Sequence, residues 1–247
     1  MTMRPIKQLI KRCLRRRGLK IISMAENPTV TDFIRARNIN TVIDVGANIG
    51  QFGWSLRKEG YKGTILSFEP IRATANTLKD TVVNDPAWKV FNLGLGESPG
   101  RKDIHIATET VFSSLLNATG VTQAWGDMAR IQQTETVEIQ RLDDVLPDVT
   151  GNALLKIDTQ GYERQVLMGA TRTLQRMTGV LLELPIIQLY EDNWSFHDAL
   201  EFMHRAGFVP AQMHPVSFFP NDRISVVEVD CLFRRRDTKI DGPAYMP

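Results

Sequence analysis

Four carboxylates and one glycine turn carry most of the chemistry available to this 247-residue sequence. Asp44-Val45-Gly46-Ala47-Asn48-Ile49-Gly50 sets glycines directly after a short β-rich run, where they let the backbone approach a ligand and turn into a helix N-terminus. Such a turn could serve a dinucleotide, a phosphate or an adenosyl amino acid, and its neighbours discriminate between them. Asn48 stands where a dinucleotide fingerprint has the glycine that meets the pyrophosphate, and no Lys-Ser/Thr follows a G-x-x-x-x-G pattern. Asp44, just ahead of the glycines, would repel phosphate and attract an ammonium or sulfonium group. Glu69, 19 residues beyond Gly50, closes the next apolar run, a position from which a carboxylate accepts hydrogen bonds from both hydroxyls of a ribose. Asp158 and Glu183 close two later apolar runs, where open α/β sheets place ligand-contacting residues. They are candidate general bases or, together, candidate ligands of a magnesium ion.

The elements that must position these residues alternate along the chain. Thr41–Val45, Thr64–Phe68, Trp88–Leu93, Ala153–Asp158 and Gly179–Leu184 read as strands. Helices are expected over about 28–40, 51–59, 73–83, 162–177 and 195–205, the last opened by Ser195. Strands alternating with helices at this spacing predict a parallel sheet covered on both faces. The rhythm breaks in the middle, where Lys102–Ala107 and Thr136–Arg141 alternate apolar with polar residues. They predict a β-excursion around a flexible stretch, Thr108 to Thr134, read as a lid or substrate loop. Gly207–Met213 and Ile224–Phe233 are expected to form the antiparallel end of the sheet.

At this point the sequence resembles the FkbM family of methyltransferases. The resemblance rests on Val42-Ile43-Asp44-Val45-Gly46-Ala47-Asn48-Ile49-Gly50-Gln51-Phe52, on Ser67-Phe68-Glu69-Pro70, and on Leu155-Lys156-Ile157-Asp158-Thr159-Gln160-Gly161-Tyr162-Glu163 with Val166-Leu167-Gly169-Ala170. Asn92-Leu93-Gly94-Leu95-Gly96, Ser113-Ser114-Leu115 and Arg141–Leu146 support it, so that it spans about residues 40–233. The family pattern usually reads D-V-E-G-x-E, and here Thr159 and Gln160 depart from it, Gln160 replacing a common glutamate.

The resemblance implies a class I, Rossmann-like methyltransferase fold, a doubly wound and mostly parallel seven-stranded sheet, with S-adenosylmethionine as donor. It further implies O-methylation in the biosynthesis of glycans, glycolipids or macrolide-like natural products. By position, Asp44, Gly46, Ala47, Asn48 and Gly50 would line the methionine part of the donor, Glu69 and Pro70 the ribose, and Gly94, Leu95, Gly96 and Glu97 the adenine side. Asp158 would face the methyl group. Methyl transfer to oxygen requires an aligned, water-poor pocket and a base for the hydroxyl proton. Asp158 is the first candidate and Glu183 the second. His105 and His214 are the histidines whose expected positions could reach an acceptor. Lys156, two residues before Asp158 and on the same face of its strand, would balance or orient it. Trp125, Tyr190 and Trp194 could stack on a sugar ring. Two other readings stay open: a nicotinamide-dependent oxidoreductase, which Asn48 disfavours, and a catalytically inactive donor-binding regulator.

Composition bounds the rest. With 43% hydrophobic and 23% charged residues the chain can bury one substantial core, and a methyltransferase domain is expected over 41–236. Cys13 and Cys231 lie near opposite ends without metal spacing, which fits a reducing, cytoplasmic setting. Residues 1–20 hold eight basic residues and no acid, leaving 22 basic against 28 acidic residues beyond them. That acidic body argues against nucleic-acid binding. Ile6, Leu9, Ile10, Cys13 and Leu14 recur at helical spacing beneath the cationic face. This basic extension, within 1–40, is expected to pack on the domain or a second subunit of a homo-oligomer, or to touch an anionic membrane surface through residues 4–20. Residues 237–247 are expected to form a disordered tail.

Overall fold

The computed structural model describes residues 28–241. The basic helix expected over residues 4–20, with its membrane and oligomer readings, lies outside them. Seven strands form the main sheet: β1 (Thr41–Val45), β2 (Thr64–Phe68), β3 (Trp88–Phe91), β7 (Ala153–Ile157), β8 (Met177–Pro185), β9 (Phe208–Phe219) and β10 (Asp222–Arg235). Between β3 and β7 the chain adds β4 (Gly94–Leu95), β5 (Gly100–Ala107) and β6 (Ile131–Gln140), which make a separate three-stranded sheet. The main order is β3-β2-β1-β7-β8-β10-β9. β10 runs antiparallel to both β8 and β9, and the remaining pairs are parallel. The chain leaves β1 towards β2 on one side and returns to β7 on the other, so a crevice opens at the carboxyl ends of β1 and β7.

Alternation along the buried strands divides the core into two layers. Val42, Ile65, Leu154, Leu181 and Leu232 face one side and meet Phe33 and Ile34 of α1 (Val30–Ala36), Leu56 of α2 (Gln51–Lys58) and Leu78 of α3 (Arg72–Thr81). Ile43, Leu155, Leu182 and Phe233 face the other side. There they meet Val166 and Leu167 of α5 (Glu163–Met168), Leu174 of α6 (Thr171–Leu174), and Ala199 and Met203 of α7 (Phe196–Arg205). A short helix, α4 (Leu142–Val145), precedes β7. Both α1 and α7 open on capping boxes, Thr29 with Asp32 and Ser195 with Asp198, which satisfy amide groups left free at a helix start.

One expectation is corrected. The single helix expected over 162–177 is two short ones, and Met177 already belongs to β8. The backbone is close-packed at the break: a Cβ on Gly169 would stand 1.9 Å from the carbonyl oxygen of Gly96, just after β4. Asp143 then starts the second helix, its buried carboxylate accepting from the amides of Arg172 at 3.0 Å and Thr173 at 2.8 Å. The stretch Thr108–Thr134, expected as a lid or substrate loop, contains local elements of its own. It carries 3-10 turns at Thr110–Phe112 and Gly120–Ala129, and β6 begins as early as Ile131. Within the described part of the segment after Arg236 stands the helical turn α8 (Thr238–Asp241), where Asp241 pairs with Arg234. Phe33 and Ile34 of α1, assigned by sequence to an extension, are buried in the domain core.

Candidate functional site

Residues at the carboxyl ends of β1, β2, β7 and β8 surround a cavity of about 480 Å³, within the usual size range of small-molecule sites. The glycine turn forms its floor. Gly46 has φ +74°, and a Cβ there would lie 1.8 Å from the carbonyl oxygen of Asp158, so only glycine lets the β1 and β7 ends come together. Asn48 also takes a left-handed conformation, φ +49°, which aims its amide N–H at Glu69 Oε2 over 2.8 Å. Ile71 N donates to Glu69 Oε1 over 2.9 Å. The Glu69 carboxylate is thus held from both ends, with one lone pair per oxygen still free. Burial pushes its pKa up to about 7 against these two hydrogen bonds.

The charged residues lie in cross-strand rows. Asp44 on β1 stands in register with Lys156 on β7, and Lys156 with Leu181 on β8. Lys156 Nζ lies 3.2 Å from Asp44 Oδ1 and 3.2 Å from Asp158 Oδ2. Burial alone would discharge Lys156, but the Asp158 and Asp44 carboxylates raise its pKa and keep it charged. The reverse holds for Asp158: burial opposes its ionisation, while Lys156 and the amide of Gln160 hold its pKa low. Glu183 is pushed well above the usual carboxylate range, first by burial and then by Asp158 and Glu228. Its direct neighbour across the sheet is Asp230. Like charges set opposite each other in this way favour protonation.

The loop after β7 owes its shape to Glu163. This carboxylate accepts from Thr159 N at 2.9 Å, Gly161 N at 3.1 Å and Thr159 Oγ1 at 3.1 Å. The spacing K-I-D-x-x-G-x-E therefore has a physical meaning: the first residue of the following helix turns back and ties the loop that carries Asp158 and Gln160. The β-excursion closes over the same cavity. Thr110 exchanges hydrogen bonds with the Asn48 side chain at 3.0 and 3.2 Å, and Phe112, Leu115 and Trp125 supply an apolar wall.

Of the residues singled out by sequence, Gly46, Ala47, Asn48, Glu69, Pro70, Gly94, Leu95, Asp158 and Glu183 line this cavity. Four do not. Asp44 is fully buried beneath it and is engaged by Lys156, so it offers no open carboxylate to a sulfonium or ammonium group. Gly50 packs on Leu78 and Trp88 and serves the start of α2. Gly96 is pressed between Ile139 and Tyr162. His105 lies on the outer side of the excursion, near Thr134 and a minor depression beside Tyr190. Among the aromatic candidates Trp125 reaches the cavity, whereas Trp194 is buried against Phe202. Tyr190 is buried, its hydroxyl 3.0 Å from Gln160 Oε1 and 3.2 Å from Phe112 O, two acceptors for its one hydrogen. A magnesium ion between Asp158 and Glu183 is not supported, since among the described residues no group of three or more His, Cys, Asp or Glu could hold a metal.

Sequence reading missed Glu228, Asp230 and Thr110, all of which line the cavity. For the first two a signal exists: they alternate with Val227, Val229 and Cys231 in an otherwise apolar strand end. Acids at alternate positions of a central strand are costly unless they face a site. Thr110 carries no such signal, because its place depends on how the excursion folds back.

Two curated relatives are fungal methyltransferases. "Methyltransferase 1" of Beauveria bassiana is 26% identical over 188 residues, covering 70% of this chain and 74% of that protein. "Methyltransferase sdnD" of Sordaria araneosa is 28% identical over 153 residues, covering 52% and 59%. Similar solved structures include a magnesium protoporphyrin IX methyltransferase from Synechocystis with bound S-adenosylmethionine, at TM-score 0.45, 10% identity and coverage of 84% of this chain and 76% of that one. The mitomycin 7-O-methyltransferase matches at TM-score 0.44 and 11% identity, over 81% and 50% of the two chains. At that distance nothing of their substrates transfers to this chain. The family profile described as the methyltransferase FkbM domain matches residues 44–210, the span that contains the glycine turn, Glu69, Asp158 and Glu183, and the chain belongs to that methyltransferase family.

Proposed function

We propose that this methyltransferase uses S-adenosylmethionine to methylate a hydroxyl oxygen of a sugar, a glycolipid or a natural product, with Asp158 as the base. The observation that supports it best is the pairing, in one cavity, of a fixed ribose-type acceptor, Glu69, with a carboxylate held ionised by its neighbours, Asp158. The donor fits the residues present. Each Glu69 oxygen keeps a lone pair for one ribose hydroxyl, and Gly94 and Leu95 line the side where the adenine would lie. Bound there, S-adenosylmethionine would supply the electrophilic methyl group.

The chain's own residues do the remaining work. An Asp158 carboxylate oxygen would take the proton of the acceptor hydroxyl as its oxygen gains the methyl group and the donor sulfur keeps the bonding pair, and Lys156 pairs with that carboxylate. Phe52, Phe112, Leu115 and Trp125 line the cavity and keep water from competing with the acceptor. The acceptor end, formed by Glu183, Ser217, Glu228 and Asp230, is rich in hydrogen-bond acceptors, which suits a polyhydroxylated ring. A glycolipid acceptor would give the basic segment 4–20 a purpose, attraction to an anionic lipid surface.

Incubating the full-length protein with radiolabelled S-adenosylmethionine and fractionated extract of the source organism tests this reading. Label is expected in a carbohydrate or lipid fraction, as an acid-stable ether. Label on nitrogen or on carboxyl esters would overturn the oxygen assignment, and absence of donor binding would overturn the whole.

A further inference from the structure

We propose that Gln160 is a positioning residue whose side-chain amide nitrogen fills the seat between Asp158 and Glu183 that a bridging cation would otherwise take. Gln160 Nε2 lies 3.0 Å from Asp158 Oδ1 and 2.6 Å from Glu183 Oε2. An amide nitrogen carries two hydrogens, so one goes to each carboxyl group and the donor is used up. Its orientation is supported from behind, where Tyr190 Oη lies 3.0 Å from Gln160 Oε1. The backbone is fixed as well: Ser114 Oγ donates to the carbonyl oxygen of Gln160 over 2.6 Å.

The need for such a residue follows from the charges. Asp158, Glu183, Glu228 and Asp230 line one end of the cavity, and Lys156 lines it too. Lys156 is paired with Asp44 and Asp158, and its ion pairs do not extend to Glu183. Two carboxyl groups this close repel unless a proton, a cation or a hydrogen-bond donor lies between them. Glu183, whose burial favours its protonated form, hydrogen-bonds Asp158 directly, and the Gln160 amide adds a donor to each of the two groups. The Gln160 backbone stands at φ +54°, a left-handed conformation uncommon outside glycine that is kept where the surroundings demand it. The Glu163 tie across residues 159–161 maintains it.

A hard divalent cation would need oxygen ligands at about 2.0–2.6 Å. Among the described residues no third carboxylate joins Asp158 and Glu183 in a group able to hold a metal, and the position facing them offers N–H rather than oxygen. Gln160→Glu replaces the donor by a third carboxylate, and Tyr190→Phe frees the amide to turn its oxygen inwards. This inference uses the reading of the cavity given above but is tested without any acceptor.

The probe is Mn²⁺ alone, titrated into the full chain and followed by electron paramagnetic resonance of the free ion, with S-adenosylmethionine affinity and thermal midpoint measured on the same samples. Wild-type protein is expected to bind no Mn²⁺ that is lost on Asp158→Asn or Glu183→Gln. The Gln160→Glu variant is expected to gain one site, at least about tenfold tighter than any in the wild type and abolished by adding Asp158→Asn. Tyr190→Phe should give a weaker site at the same place, which keeps the test decisive if Gln160→Glu does not fold. A wild-type Mn²⁺ site that depends on Asp158 overturns the proposal, as does a lack of new binding in both variants. Loss of S-adenosylmethionine binding by the wild type would instead remove the functional reading and leave the Mn²⁺ result standing.

Discussion

Glu69 makes donor binding depend on pH, and the size of the dependence follows from its surroundings. Its pKa rises from the ordinary 4.5 to about 7, chiefly through burial, even though two backbone amides already point at it. Ribose hydroxyls are donors, so they bind the carboxylate better than the acid and must displace the proton below that pKa. With a free-protein pKa near 7, affinity should be about tenfold weaker at pH 6 than at pH 8, a difference of about 1.4 kcal/mol. The sign for folding is opposite in direction. The folded chain holds the Glu69 proton up to about pH 7 while the unfolded chain releases it near 4.5, so this group's contribution to stability falls as pH rises between those values. Titration calorimetry with 5′-methylthioadenosine, which keeps the ribose and lacks the amino-acid end, isolates the contact. Glu163 and Glu228 are also raised to about 7, so Glu69→Gln is the necessary control. That variant should bind with little pH dependence and, at pH 8, about 10–100-fold more weakly, the loss of one or two charge-assisted hydrogen bonds. A wild-type affinity that is flat from pH 6 to 8, or a slope that survives in Glu69→Gln, would refute the reasoning.

Other positions give sharper, simpler outcomes. Asp158→Asn should keep donor binding, measured by calorimetry, while lowering label transfer into the responsive extract fraction by at least about 100-fold, as expected for loss of a general base. Gly169→Ala places a Cβ 1.9 Å from the Gly96 carbonyl oxygen, so the contact between the end of α5 and Gly96 must open. Urea unfolding should show a loss of about 2 kcal/mol or more. Asp143→Ala removes a buried carboxylate that accepts from Arg172 N, Thr173 N and the hydroxyls of Thr171 and Thr173. It should cost about 3 kcal/mol with an unchanged denaturant slope, because several donors are stranded at once.

Much of the sheet was legible because its signals are local. Runs such as Thr41–Val45 and Ala153–Ile157 are short, apolar and bounded by turn residues, and the glycine turn and Glu69 follow their strands at fixed offsets. Ser195 announces α7 by its capping box with Asp198. What failed was set by contacts far apart in sequence. The break at Gly169 packs against Gly96, and the start of α6 against Asp143, neither of which periodicity can weigh. His105 alternates correctly on β5, but which face of that strand meets the crevice is decided by how the excursion folds back, and Ser114 pairs with the His105 backbone on the outer side.

Asp44 is the instructive case, because the strand register gives its carboxylate a partner inside the protein that the sequence reading did not count. A carboxylate ahead of a glycine turn attracts cations, and the strand register delivers one from inside the protein: Lys156 stands directly across from it. Asp44 pairs with Lys156, which in turn pairs with Asp158 and helps hold it ionised at the cavity wall. The three side chains therefore form a row of ion pairs from the buried strand to the cavity wall. Removing Asp44 should disturb Asp158 before it disturbs the donor. Affinity for S-adenosylmethionine in Asp44→Asn is expected to change less than about threefold, whereas label transfer should fall by about tenfold or more, since Lys156 is then left with one partner and is free to close on Asp158. Equal losses in binding and transfer would instead return Asp44 to the donor itself.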